Sequence, residues 1–222
     1  MLLDAKRSHL LVVDLQDRLM PAIHGGEDVL RNVKILLEAA RRLKVPVTVT
    51  EQYPKGLGDT VPPVREALPP EAVTLTKTTF SSARDPAIAE RVAALRGDGL
   101  NQLVVCGTEA HICVLQSALE FRNLGQEHRT QKWAPLLGPD PMLQSLDSAS
   151  SSRKTGSTFS HDALDVFVVA DAVSSRSPHS VAAACARLLH AGCHWVTTEM
   201  VAFEWMGEAA TEDFRALAPL FR

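Results

Sequence analysis

Short, continuous apolar runs alternate with longer stretches of helical periodicity along this chain. That alternation restricts it to βα units wound around a parallel sheet. Residues 9–14 (HLLVVD) read as a strand covered on both faces, because the run is unbroken and partly β-branched. A helix is expected from about Glu27 to Leu43, with Val29, Leu30, Val33, Leu36, Leu37 and Ala40 on one face. Pro46 opens a second strand (PVTVT), a third (VTLTK) ends near Lys77, and Glu51–Pro70 between them, rich in Gly and Pro, reads as a long loop. Asp85-Pro86 is a helix start, a capping carboxylate followed by Pro at the first helical position. That helix runs to about Arg96, and QLVVCG is the fourth strand. The next helix is expected from near Ile112 to near Gly125, and DVFVVAD is strand five. Ser177-Pro178 repeats the cap-then-Pro signal for a helix to about Ala191, and HWVTT is strand six. Glu199–Met206 and Thr211–Phe221 close the chain as helices. The pattern predicts a three-layer α/β/α Rossmann-like sandwich with a six-stranded parallel sheet in the order 3-2-1-4-5-6.

One segment breaks the pattern. From about Gln126 to Leu164 periodicity is weak and the tract SASSSRKTGSTFS is Ser-rich. A structureless connection of that length exceeds the usual limit of roughly 12–15 residues. It reads as a mostly disordered insertion, with a short helix around Met142–Leu146, into a single domain spanning residues 1–222. The remaining bulk properties exclude partners more than they name them. Net charge is −3, without a basic block, so neither nucleic acid nor a polybasic membrane anchor is expected. No apolar run approaches the roughly 20 residues that span a bilayer. The N-terminus (MLLDAKRSHLLVVDLQ) lacks a signal-peptide layout, so a cytoplasmic location is expected. The four cysteines form no C-x-x-C pair, and Cys106, Cys185 and Cys193 are expected to be small buried hydrophobes.

A Rossmann-like sheet invites a dinucleotide, but the first strand is followed by Asp14-Leu-Gln-Asp-Arg-Leu where a phosphate site needs G-x-G-x-x-G. A carboxylate there repels phosphate, and no cofactor is expected. In open α/β sheets the site forms at the carboxyl ends of the strands. Those ends carry Asp14, Lys77, the turn Gly107–Cys113 and Asp171. At a helix N-terminus beside an ammonium, Cys113 is expected to have a lowered pKa, with Asp14 able to accept its proton. Spacing alone leaves two readings open, a catalytic trio or charged residues at strand ends held in structural ion pairs.

The series VVDLQ, TEQYP, TKTTFSS, CGTEAHICV and VADAVSSR, in that order, resembles the isochorismatase-like cysteine hydrolases, in particular a branch of unknown substrate. The resemblance covers the chain apart from the insertion. It implies an Asp–Lys–Cys triad at Asp14, Lys77 and Cys113, and a cis peptide at Thr108–Glu109. It also implies an oxyanion hole from the backbone N–H groups of Glu109 and Cys113, and a homo-oligomer. The reaction it implies is hydrolysis of an amide- or carbamoyl-type C–N bond in a small molecule, through a thioester. Members that cleave isochorismate lack this Cys, so that activity is not expected. Nicotinamidases of the superfamily carry an Asp-x-His metal site after strand two. Here Glu51-Gln52-Tyr53-Pro54 stands in its place, so no metal is expected. An idle binding protein with the same fold is the alternative. Tyr53 and Phe80 fit either a substrate pocket or ordinary packing, and Gln16 either orients Asp14 at the pocket or makes a structural hydrogen bond. His111 reads as a turn residue, Glu109 as solvated apart from its N–H, and Asp171 and Arg176 as fixing the loop after strand five.

Overall fold

The computed structural model describes residues 1–124 and 164–221. The expected insertion, with its short helix at Met142–Leu146, lies outside the described residues except for Leu164, which is buried. Six parallel strands form one sheet: β1 (Ser8–Val13), β2 (Val47–Gln52), β3 (Val73–Lys77), β4 (Gln102–Thr108), β5 (Asp165–Ser174) and β6 (His194–Val196). Their order is β3-β2-β1-β4-β5-β6, as the sequence predicts. The chain winds outward from β1 to β3, then returns to the other side of β1 for β4. The crevice where the winding reverses lies between β1 and β4.

Strand periodicity divides the core into two layers. Leu10, Val12, Val47, Val49, Val104, Cys106, Phe167 and Val169 face one side. Their neighbours Leu11, Val13, Leu103, Val105, Val166 and Val168 face the other. The first layer is covered by α1 (Gly26–Leu43), which buries Val29, Val33, Leu36, Leu37 and Ala40 at three- and four-residue spacing. The opposite layer is covered by α4 (Pro86–Gly97) through Ile88 and Val92, and by α5 (Leu115–Leu124) through Ala118 and Phe121. A further helix, α6 (Pro178–His190), adds Ala184 and Leu188 to that layer. Near the C-terminus α7 (Thr198–Met206) and α8 (Glu212–Leu217) return to the α1 side through Val201, Ala202, Trp205 and Leu217. Cys106 and Cys193 are buried as expected, whereas Cys185 is only half-buried.

Several local expectations change. The Glu51–Pro70 loop contains two single-turn helices, α2 (Pro54–Leu57) and α3 (Pro62–Arg65). Each is opened by a Pro, and each is too short to leave a periodic signature. Asp85 does cap α4, accepting from the N–H groups of Ala87 and Ile88. Ser177 makes no such side-chain bond to α6. Strand β6 stops at Val196 because the Thr197 side chain caps α7, accepting from Met200 N–H. Gly107, in β4, has φ +115°, and a Cβ there would run into the backbone of Val13 in the adjacent β1. Only glycine allows the two central strands to lie this close where β4 turns toward the crevice.

Candidate active site

Asp14 follows β1 directly and adopts φ +49°. Its backbone is fixed from both sides: its N–H donates to Thr50 on β2, and its carbonyl accepts from the Thr108 hydroxyl on β4 at 2.8 Å. The carboxylate is buried. Thr50 Oγ1 donates to Oδ1 at 2.6 Å, and Lys77 Nζ donates to Oδ2 at 2.6 Å. Lys77 ends β3, so its side chain must cross the end of β2 to reach Asp14. Gln52, the last residue of β2, bridges that gap, its Oε1 accepting from Nζ at 2.7 Å. Gln52 is held in turn by donating Nε2 to the Thr78 carbonyl. Sequence reasoning missed Gln52 and Thr50. The strand order was their signal, because in a 3-2-1 arrangement β2 must supply whatever lies between β3 and β1.

Cys113 sits in a π-helical turn, Ala110–Val114, which precedes α5, and not in the first turn of an α-helix as expected. The carbonyl of Glu109 accepts from Ile112 N–H and Val114 N–H, passing over Cys113. The Glu109 N–H donates to no group among the described residues. The Thr108–Glu109 peptide is cis. Cys113 is nearly buried, and its thiol lies beside both Asp14 and Lys77. Burial, then the charge of Asp14, pushes the Cys113 thiol up to about 12, with Lys77 acting in the opposite sense. The expectation of a lowered thiol pKa is therefore reversed, because desolvation outweighs the ammonium. Burial also raises the Asp14 carboxyl above its ordinary value, and Lys77 and the hydroxyl of Thr50 oppose that rise. The resting site is a neutral thiol facing the buried Asp14–Lys77 pair.

A cavity of about 350 Å³ opens above this cluster. Asp14, Gln52 and Cys113 form its buried base. Leu19, Ala22, Leu57, Phe80 and Ile112 line its walls, and Arg18, Glu109 and Arg176 complete it. Phe80 thus borders the cavity. Tyr53 does not: it is 55% exposed, and its ring lies over Gly56. Gln16 also lies outside the lining. Its side chain donates Nε2 to the carbonyls of Gln52 (3.0 Å) and Gly58 (2.6 Å) and accepts from Gln52 N–H (2.8 Å), so it fixes the end of β2; toward Asp14 only its backbone N–H reaches, donating to the Asp14 carbonyl at 3.1 Å. Glu109 is not solvated, as its carboxylate is paired with Arg176 Nε at 2.9 Å. Arg176, read from sequence as a loop residue, lines the cavity as well. His111 Nδ1 bonds the Ser175 hydroxyl and ties the π turn to the end of β5. Asp171 is turned away from the cavity, accepting from the N–H and hydroxyl of Thr198 at the start of α7. Among the described residues, no three His, Cys, Asp or Glu side chains gather as a metal would require.

A parallel 3-2-1-4-5-6 sheet with a carboxylate, an ammonium and a thiol meeting at its switch point defines an isochorismatase-like α/β hydrolase fold. The Isochorismatase domain model matches residues 8–129, and the chain belongs to that family. Isochorismatase domain-containing protein 2 of Danio rerio is 32% identical over 219 residues, covering 98% of this chain and 88% of the relative. The structure of the MAR1 ribonuclease of Caenorhabditis elegans superposes with a TM-score of 0.74 at 28% identity, covering 99% of this chain and 92% of that one. The YcaC gene product of Escherichia coli, described as an octameric hydrolase of unknown specificity, superposes with a TM-score of 0.74 at 22% identity, covering 100% and 89%.

Proposed function

We propose that the chain hydrolyses a C–N bond of a small amide or carbamoyl compound through a thioester on Cys113. One observation carries this reading: a nucleophile and a proton acceptor meet at the base of one open cavity, with a buried ammonium paired to the acceptor, the three drawn from three separate strand ends. Because the thiol rests neutral, attack must be coupled to proton transfer. Cys113 Sγ bonds to the substrate carbonyl carbon as its proton passes to the Asp14 carboxylate. The N–H groups of Glu109 and Cys113, which the π turn leaves clear of the Glu109 carbonyl, hold the oxyanion. The tetrahedral species collapses, Asp14 returns its proton to the departing nitrogen, and an amine or ammonia leaves. Water then adds to the thioester, giving a proton to Asp14. Collapse releases the carboxylic acid and restores the thiol. Lys77 and the Thr50 hydroxyl oppose the burial that raises the Asp14 carboxyl, and Gln52 holds the Lys77 ammonium in place.

The second reading, an idle binding protein, places no demand on a nucleophile beside a proton acceptor. Ammonia release from a panel of amides, ureido acids and N-carbamoyl compounds separates the two. Turnover by the native protein and its loss in Cys113→Ser support the thioester route. A silent panel with correctly folded protein, or activity that survives Cys113→Ser, overturns it. The octameric state described for the E. coli relative supports a further proposal, that this chain also works as a homo-oligomer.

A further inference from the structure

We infer that the substrate carries a single negative charge, a carboxylate, seated against Arg18 and Arg176 at the edge of the cavity while its scissile carbonyl rests over Cys113. This rests on the hydrolytic reading of the site. The charges along the cavity cancel at its base but not at its edge. Asp14 is neutralised by Lys77 at 2.6 Å, and Glu109 by Arg176 at 2.9 Å. Arg18 has no carboxylate partner among the described residues. Its Nη1 donates only to the carbonyls of Gly56 (2.9 Å) and Lys55 (3.4 Å), at the end of α2. One positive charge is therefore left over on a cavity whose walls are otherwise apolar.

The donors left free suit a carboxylate. Arg18 commits only Nη1, and Arg176 commits Nε to Glu109 while both of its Nη groups donate to nothing among the described residues. A planar guanidinium with adjacent free N–H groups accepts a carboxylate in two parallel bonds, which an ammonium or an amide cannot offer. The Arg176 side chain is 59% exposed, so its free end can turn toward a ligand without breaking the Glu109 contact. The excess of one charge favours a monoanion. A dianion such as a phosphate monoester would face the Glu109 carboxylate at the edge and Asp14 at the base. The cavity, about 350 Å³, lies at the small end of the roughly 300–1,000 Å³ usual for ligand sites, so carboxylate and amide must belong to one short molecule.

Two matched probe pairs test this: succinamate against succinamide, and N-carbamoylglycine against N-carbamoylglycinamide. Binding to the Cys113→Ser protein is measured by calorimetry, and ammonia release by the native protein is followed in parallel. The anionic member of each pair is expected to bind at least about tenfold more tightly than its neutral partner, a difference of ~1.4 kcal/mol. Arg18→Gln should erase most of that preference, and Arg18→Lys should restore part of it. Equal affinity within the pairs overturns the inference, as does a preference that survives Arg18→Gln or a failure of both carboxylates to bind at millimolar concentration. The hydrolytic reading fails separately. If carboxylates bind through Arg18 but nothing is turned over, the charge selection stands and the hydrolysis falls. If neutral and anionic probes are hydrolysed equally well, hydrolysis stands and the selection falls.

Discussion

At the scale of single residues, burial decides the chemistry of the site. The same sheet rim that brings Lys77 to Asp14 removes both from water, and the thiol beside them with them. A solvated cysteine ionises near pH 8.5, whereas Cys113 is pushed up to about 12, so it reacts only when a base takes its proton. Asp14→Asn should therefore lower hydrolysis by about a hundredfold or more, an effect within the usual range for a general base, while iodoacetamide labelling of Cys113 should not slow, because loss of the Asp14 charge brings the thiol pKa down. Ammonia release and peptide mapping of the alkylated site check the two effects, and hydrolysis undiminished by the substitution removes Asp14 as the base. Because burial raises the Asp14 carboxyl, the acid limb of kcat/KM should lie above the ordinary carboxylate range. Activity should fall as pH drops through that limb, since a protonated Asp14 accepts nothing. Charged and nucleophilic residues at strand ends stand out among apolar runs, which made Asp14, Lys77 and Cys113 candidates in the sequence, and the resemblance of the motifs around them to the isochorismatase-like pattern singled them out. No such signal marks Arg18 and Gln52. Their importance comes from being left unpaired at one edge of the cavity or placed between two strands.

At the scale of elements, the ends of helices and strands place the chemistry more than their middles do. The π turn at Ala110–Val114 sends the bonds of the Glu109 carbonyl to Ile112 and Val114, and so leaves the Cys113 N–H clear of it. No periodicity marks a five-residue turn, so the sequence registers it only as the start of a helix. Caps are more legible. Asp85 closes the start of α4 with two N–H groups, far from the cavity. Asp85→Ala should cost about 1 kcal/mol, lowering Tm by roughly 2–4 °C for a chain of this size. Thermal denaturation by circular dichroism measures it, and activity at 25 °C should be unaffected. The single-turn helices α2 and α3 show the opposite case. Prolines open them, but the side chains of Gln16 and Arg18 hold the segment by taking the carbonyls of Gly56 and Gly58.

At the scale of the whole molecule, one buried histidine links stability to pH. His9 lies in β1 with Nε2 bonded to Thr48 Oγ1 at 2.8 Å, and Arg91 Nε donates to the same hydroxyl at 2.7 Å. Burial, helped by the charge of Arg91, lowers its pKa from 6.5 to about 3. Between those values the unfolded chain binds a proton that the folded chain excludes. Stability should thus fall as pH drops from 6.5 toward 3, by up to about 1.4 kcal/mol per pH unit from this group. Urea denaturation across that range should show a shallower slope for His9→Gln than for the native protein. Equal slopes would mean that His9 is not the linked group. Light scattering tests assembly, with a mass several times 24.1 kDa expected and a monomer overturning the proposed oligomer. The sequence by itself determined the layers, the six strands and the residue types at their carboxyl ends. Apolar period and capping chemistry are local properties that each stretch of chain carries alone. The tertiary structure decided the rest: the crossing of Lys77 over Gln52, the reversal of the thiol's pKa, and the uncompensated charge of Arg18. Each of these depends on distance and burial between segments remote in sequence, and no local pattern encodes them.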